Sequence, residues 1–129
     1  MSRYGIENCK TENRDMKQTI KGKVPSKSNG YKIGPRGLYK SAELVKYEST
    51  FFLQCHLYRD MNLNKEFHFY ADVFYPSNRS DLDGMFKITL DILQKKVKAF
   101  TNDNLCTRIV ANKFVDKDNP RIEFEIIPV

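Results

Sequence analysis

Apolar residues recur along this chain with two different periods, and the switches between them mark out its elements. Phe67, Phe69, Ala71, Val73 and Tyr75 occupy alternate positions, the signature of one buried face of a strand. Pro76-Ser77-Asn78 closes that strand. A second alternation sets Ile122, Phe124 and Ile126 against Arg121, Glu123 and Glu125, giving a strand over 121–127. Another strand is expected just before it, over about 107–115. Asp116-Lys117-Asp118-Asn119-Pro120 between the two is a hairpin signal. Thr19-Ile20-Lys21-Gly22-Lys23-Val24 alternates more weakly and reads as a strand that stops at Pro25.

Elsewhere the period lengthens to that of a helix. Ser41 is a good N-cap, and Glu43 adds negative charge to the turn that follows. Leu44, Val45, Glu48, Phe51, Phe52, Cys55 and Leu57 follow at roughly helical spacing, so a helix is expected over about 41–58. A second helix begins near Asp81. Its apolar stripe is Leu82, Phe86, Leu90, Leu93 and Val97, and its other face carries Asp83, Lys87 and Asp91. Residues 25–37, with two Pro and three Gly, read as a loop. Within it Ser28-Asn29-Gly30 could offer amides to a phosphate, but the glycine spacing fits no phosphate-cradle motif, and a plain loop stays open. The expected order is β-α-β-α-β-β, an α+β fold of one small domain: a mixed sheet with two helices packed on it.

Charge changes this picture at one end. The net charge is +6, and residues 1–40 hold ten Lys/Arg against three acids, while the rest of the chain is nearly neutral. A basic segment therefore precedes the body that contains the acidic cluster. It either docks on a polyanion or forms a solvated tail. Residues 1–15 lack periodicity and are expected to be disordered, leaving 16–129 as the folded domain. Cys9, Cys55 and Cys106 are odd in number and have no CxxC spacing, which argues against structural zinc and for a reducing compartment. His56 and His68 stand alone among apolar neighbours and are read as structural. Nothing resembles a signal peptide or a membrane-crossing run, so a cytoplasmic protein with no membrane partner and no small-molecule cofactor is expected.

The candidate chemistry lies at the start of the second helix. Asp81 and Asp83 are close enough to repel, by roughly 4 kcal/mol for two charges about 4 Å apart at an effective dielectric near 20. A cation between them would relieve that cost. Within a helix, i and i+2 diverge, so the two converge only if Asp81 precedes the first turn and Asp83 lies inside it. The bland alternative is that Asp81 or Ser80 caps the helix and Asp83 complements its dipole. Lys87 lies about 6 Å along the axis from Asp83, within reach of a phosphate oxygen on a metal held there. Asp91, about 12 Å from Asp83, is too far to share that metal and is expected to pair with Lys87 or Lys95. Asp103 is the candidate third ligand. A helix running to Lys98 would end about 22 Å from Asp83, beyond the roughly 17 Å that five extended residues span. An early stop near Gln94, with residues 95–100 irregular, is therefore expected.

These residues resemble the RusA-like family of Holliday junction resolvases. The family pattern, a D-L-D-N-x-x-K helix start, a later Asp and then an acidic pair, reads here as Asp81-Leu82-Asp83-Gly84-Met85-Phe86-Lys87, Asp91 and Asn102-Asp103. Pro25-Ser26-Lys27-Ser28-Asn29 resembles the family's P-P-S-x-N loop, and Tyr39-Lys40-Ser41 the lead into its first helix. Gly84 stands where the pattern has Asn, and Asn102 where it has the first acid of the pair. The resemblance covers about residues 19–128. It implies a homodimeric endonuclease that needs Mg²⁺ or Mn²⁺ and nicks two symmetric strands of a four-way DNA junction. It further implies metal ligation by Asp81, Asp83 and Asp103 and phosphate stabilisation by Lys87, which together form the catalytic set. Lys23, Lys27, Asn29, Lys32, Arg36, Lys40 and Arg79 are the candidate DNA contacts. Two other readings stay open: a non-catalytic nucleic-acid-binding protein that kept the fold, and a nuclease for flaps, RNA or other branched DNA.

Overall fold

A computed structural model describes residues 16–80 and 82–129, with Asp83 described through its backbone alone. The chain runs β1 (Gln18–Lys21), α1 (Lys27–Gly30), β2 (Tyr31–Gly34), β3 (Gly37–Lys40), α2 (Ala42–Gln54), β4 (Phe67–Tyr75), α3 (Asp83–Ile92), a π-helical turn (Leu93–Val97), a 3-10 turn (Asp103–Leu105), β5 (Cys106–Val115) and β6 (Arg121–Pro128). The expectation of a disordered tail over 1–15 lies outside the described residues. The fold is α+β with a mixed sheet, as expected, and α1, β2 and β3 are additions to the expected order. The supposed loop over 25–37 hides them because elements of four residues are too short to establish a period.

The four-stranded sheet has the order β1-β6-β4-β5. β4 and β5 are parallel, as the crossover through α3 requires. β6 is antiparallel to both β4 and β1. The hairpin expected at 116–120 is therefore absent: β5 and β6 lie on opposite sides of β4. The loop crosses the end of β4, where the Asp116 amide donates to the Tyr75 carbonyl at 2.8 Å, and Pro120 accepts from the Gly22 amide at 3.0 Å. Arg121 then lies over the Phe74 ring, 3.8 Å from its centroid.

The alternations read from the sequence are the core faces. Phe67, Phe69, Val73, Ile122, Phe124 and Ile126 are buried against Leu44, Tyr47 and Phe51 of α2 and Met85, Ile88 and Ile92 of α3. Phe124 is the hub, with ring centroids of Phe51, Tyr58 and Phe69 5.8–5.9 Å away. Truncating such a residue to alanine costs about 3–5 kcal/mol.

Both long helices depart from the expected limits. α2 begins after its Ser41 cap, whose Oγ accepts from the Leu44 amide at 3.1 Å, but ends at Gln54 rather than near 58. Val45, Phe52 and Leu57, expected on its apolar face, are exposed, and Tyr47 takes the core place. In α3 Met85, Ile88, Thr89 and Ile92 are buried beside Leu90, the one residue of the expected stripe within α3 that is buried, while Leu82 and Phe86 are half-buried. The π turn explains how Leu93 and Val97 still reach the core: a wider turn shifts the helix register by a residue, burying these two and leaving Lys95 and Lys96 in solvent. Helical structure thus persists to Val97, where an irregular segment was expected. Lys98, at φ 61, ends it, and Ala99 donates back to Leu93 at 2.8 Å.

Candidate active site

α3 starts at Asp83, with Lys87 one turn on. The N-cap position falls on Leu82, which has no capping group, so the place expected for Ser80 or Asp81 as a cap is taken by an apolar residue. Asp81 lies outside the described residues, and the side chain of Asp83 is not among the described ones. The loop leading to the motif is held from β5: the Lys113 ammonium donates to the carbonyls of Asn78 at 3.2 Å and Ser80 at 2.7 Å.

Asp103 returns to α3 in spite of the longer helix. Phe100, stacked on Phe67 with ring centroids 4.6 Å apart, anchors the turning chain. Thr101 then bonds Asn64 through its hydroxyl at 2.8 Å. The Asp103 amide donates to Gln94 Oε1 at 3.0 Å, tying the 3-10 turn to the π turn. Asn102 caps that turn by accepting from the Asn104 amide at 3.0 Å, so the carboxamide at the departure from the family pattern has a structural task.

Lys87, Asp91 and Asp103 line one open cavity of about 420 Å³, together with Lys27, Phe86 and Leu90. Asp91 is ion-paired with Lys95 at 3.1 Å, one of the two partners expected. The Lys87 ammonium sits over the Tyr31 ring, 5.6 Å from its centroid, a contact worth about 0.5–1 kcal/mol at an exposed site. Burial, and after it the Asp91 carboxylate, raises the pKa of the Tyr31 phenol. Among the described residues no three His, Cys, Asp or Glu side chains are grouped closely enough to hold a metal. The described carboxylates of the cavity are Asp91 and Asp103, and no His or Cys lines it.

Lys27 enters through α1, and Gly84 makes that approach possible. A methyl group on Gly84 would stand 2.6 Å from the Lys27 amide nitrogen. Ser28-Asn29-Gly30 forms this one-turn helix instead of a phosphate cradle: the Asn29 amide donates to Ser26 Oγ at 3.1 Å and the Gly30 amide to the Ser26 carbonyl at 2.8 Å. The candidate DNA contacts Lys32, Arg36 and Lys40 are exposed on the β2–β3 hairpin, and Lys23, Asn29 and Arg79 on loops or α1. Lys40 is already paired, at 2.7 Å, with the buried Glu48. His56 is exposed and His68 half-buried beside Tyr70, and neither lines the cavity. Cys55 and Cys106 are free, and burial pushes the Cys55 thiol up to about 11.

Tyr31, Gln94 and Lys113 escape sequence reasoning. Tyr31 and Lys113 act through partners distant in the chain and Gln94 through the Asp103 amide across a turn, and no residue pattern signals such pairings.

Residues 8–127 match the family described as Endodeoxyribonuclease RusA. The chain belongs to that family. No curated protein matches it. Membership makes the RusA-family chain an endonuclease of the Holliday-junction-resolving kind, whose substrate is branched DNA. Among the described residues no helix is long and apolar enough to cross a membrane.

Proposed function

We propose that this RusA-family protein is a metal-dependent endonuclease that resolves four-way DNA junctions by paired symmetric nicks, as a homodimer, in recombination and repair. The observation that carries the reading is the return of Asp103 to a cavity it shares with Lys87 and Asp91. Oxygen donors without His or Cys suit a hard cation, Mg²⁺ or Mn²⁺. Asp81, Asp83 and Asp103 would hold it. Bound there, the ion would supply an activated water and charge neutralisation at phosphorus.

The chain's own residues perform the remaining tasks. Lys87 donates to a non-bridging phosphate oxygen, and the Tyr31 ring beneath it keeps the ammonium at the cavity. Asp91 neutralises Lys95 and stays outside the ligand set. Lys27 adds a second cation at the cavity wall. Lys23, Asn29, Lys32, Arg36 and Arg79 grip the DNA backbone, so binding weakens steeply with salt. Two symmetric cuts need two equivalent sites, hence the dimer.

The test is cleavage of a labelled four-way junction with Mg²⁺, with Mn²⁺ and with a chelator. Paired nicks that depend on metal and vanish in Asp83→Asn are expected. Equal cutting by Asp83→Asn, or cutting in the chelator, would refute the assignment.

A further inference from the structure

The β2–β3 hairpin exposes apolar side chains that a stable surface would ordinarily cover. Ile33 is 85% and Leu38 72% exposed, and the two face each other across the ladder. The hairpin closes through Pro35-Arg36 between the paired Gly34 and Gly37, the latter at φ 106, where a side chain would be strained. From Tyr31 to Lys40 it contains no acid, while Lys32, Arg36 and Lys40 are basic.

Beneath Ile33 and Leu38 opens a cavity of about 450 Å³, completed by Tyr31, Ser28, Lys27 and Lys87. Lys27 and Lys87 also line the cavity that holds Asp103. The two cavities are thus neighbours with a shared cationic wall, one with carboxylates and the other with aliphatic and aromatic sides.

We infer that this second cavity is a nucleobase site, which receives an unstacked base of branched DNA next to the phosphate at Lys87. The inference rests on the nuclease reading above and names the part of the substrate that the hairpin meets. The occupant must be apolar on its faces and attached to an anion, because the walls are apolar and the rim is cationic. A base fits both conditions, whereas an apolar protein segment satisfies only the first. Paired duplex keeps its bases stacked, so this cleft would engage a branch point and leave linear DNA untouched. Ile33 and Leu38 bracket the base, and Lys32 and Arg36 hold the flanking backbone.

The experiment places 2-aminopurine at the branch of a four-way junction and follows its fluorescence on binding, in chelator so that no strand is cut. Wild type should raise the emission severalfold. Ile33→Ser/Leu38→Ser alters exposed residues alone and should melt like wild type. It should bind linear duplex equally, lose the emission rise, and bind the junction about tenfold more weakly, the scale of one lost base contact. An emission rise retained by the double variant overturns the inference. So does a change from dimer to monomer by sedimentation, which would make the hairpin a protein interface. A wild type that raises emission but never cuts with metal sinks the nuclease reading and leaves the base site standing.

Discussion

Gly84 and Lys27 meet backbone to backbone: a methyl group at Gly84 would come within 2.6 Å of the Lys27 amide nitrogen and 3.2 Å of its Cβ. This contact seats α1 on the first turn of α3 and brings Lys27 to the wall of both cavities. It also gives a reason for glycine where the family pattern has asparagine.

Restoring that asparagine should therefore harm this chain. The obstacle is backbone, which no rotamer change relieves, and overpacking of this kind costs about 1–3 kcal/mol. Gly84→Asn is expected to melt several degrees lower and to bind junctions more weakly as Lys27 is displaced. Thermal denaturation with a binding titration checks this, and wild-type melting in the variant would contradict it.

Lys113 fastens the loop that leads to Asp81 through the Asn78 and Ser80 carbonyls. Its bonds are charge-assisted but exposed, so their loss should cost no more than about 1 kcal/mol of stability. The larger effect falls on how well the loop is ordered. Lys113→Met is expected to need severalfold more Mg²⁺ for half-maximal junction cleavage, with Lys113→Arg in between. An unchanged metal titration would remove Lys113 from the site.

Gln94 accepts the Asp103 amide and so sets where the 3-10 turn meets α3. Gln94→Leu deletes the acceptor, and cleavage is expected to slow about tenfold, equivalent to roughly 1.4 kcal/mol in the barrier. Gln94→Glu keeps an acceptor and should slow it less. Single-turnover rates that fall equally in both variants would refute this role.

Glu123 supplies a pH signature on the sheet, away from the cavity. Burial alone would raise its carboxyl, but hydrogen bonds from Arg121 and Lys17 outweigh burial and hold the pKa below the usual value. A lowered folded pKa adds stability above the unfolded carboxylate value, near 4.3, that is lost as pH falls through the folded value. The network is half-buried and still reached by solvent, so screening keeps the gain small. Wild type should thus exceed Glu123→Gln at pH 7, and the gap should close in acid, below about pH 4. Denaturant melts at several pH values measure it; a constant gap would exclude the ion pairs as its cause.

The strands that bury one face, and the places where the long helices lie, are legible in the order of residues alone. β4 and β6 carry strict alternations, and the N-terminal end of α2 follows its Ser41 cap. The motif from Asp81 to Lys87 is legible for the same reason, since spacing along one helix is a local property. Chain reach argues for an early end to α3, yet Asp103 lines the cavity although helical structure persists to Val97; the π turn is not legible, because a register shift leaves no mark on composition. The β2–β3 hairpin stays hidden because its apolar residues face solvent, where periodicity reports nothing about burial.

By itself, then, the sequence determined which residues of β4 and β6 face the core, and the spacing of Asp83 and Lys87 along one helix. Tertiary structure alone decided that β6 lies between β1 and β4, that Lys27 lies against Gly84, and that Asp103, Asp91 and Lys87 surround one cavity. The physical reason is range. Periodicity records the burial of a face within a few turns of chain. Strand partners and cavity walls arise from contacts between residues far apart in sequence, selected by how the whole core packs.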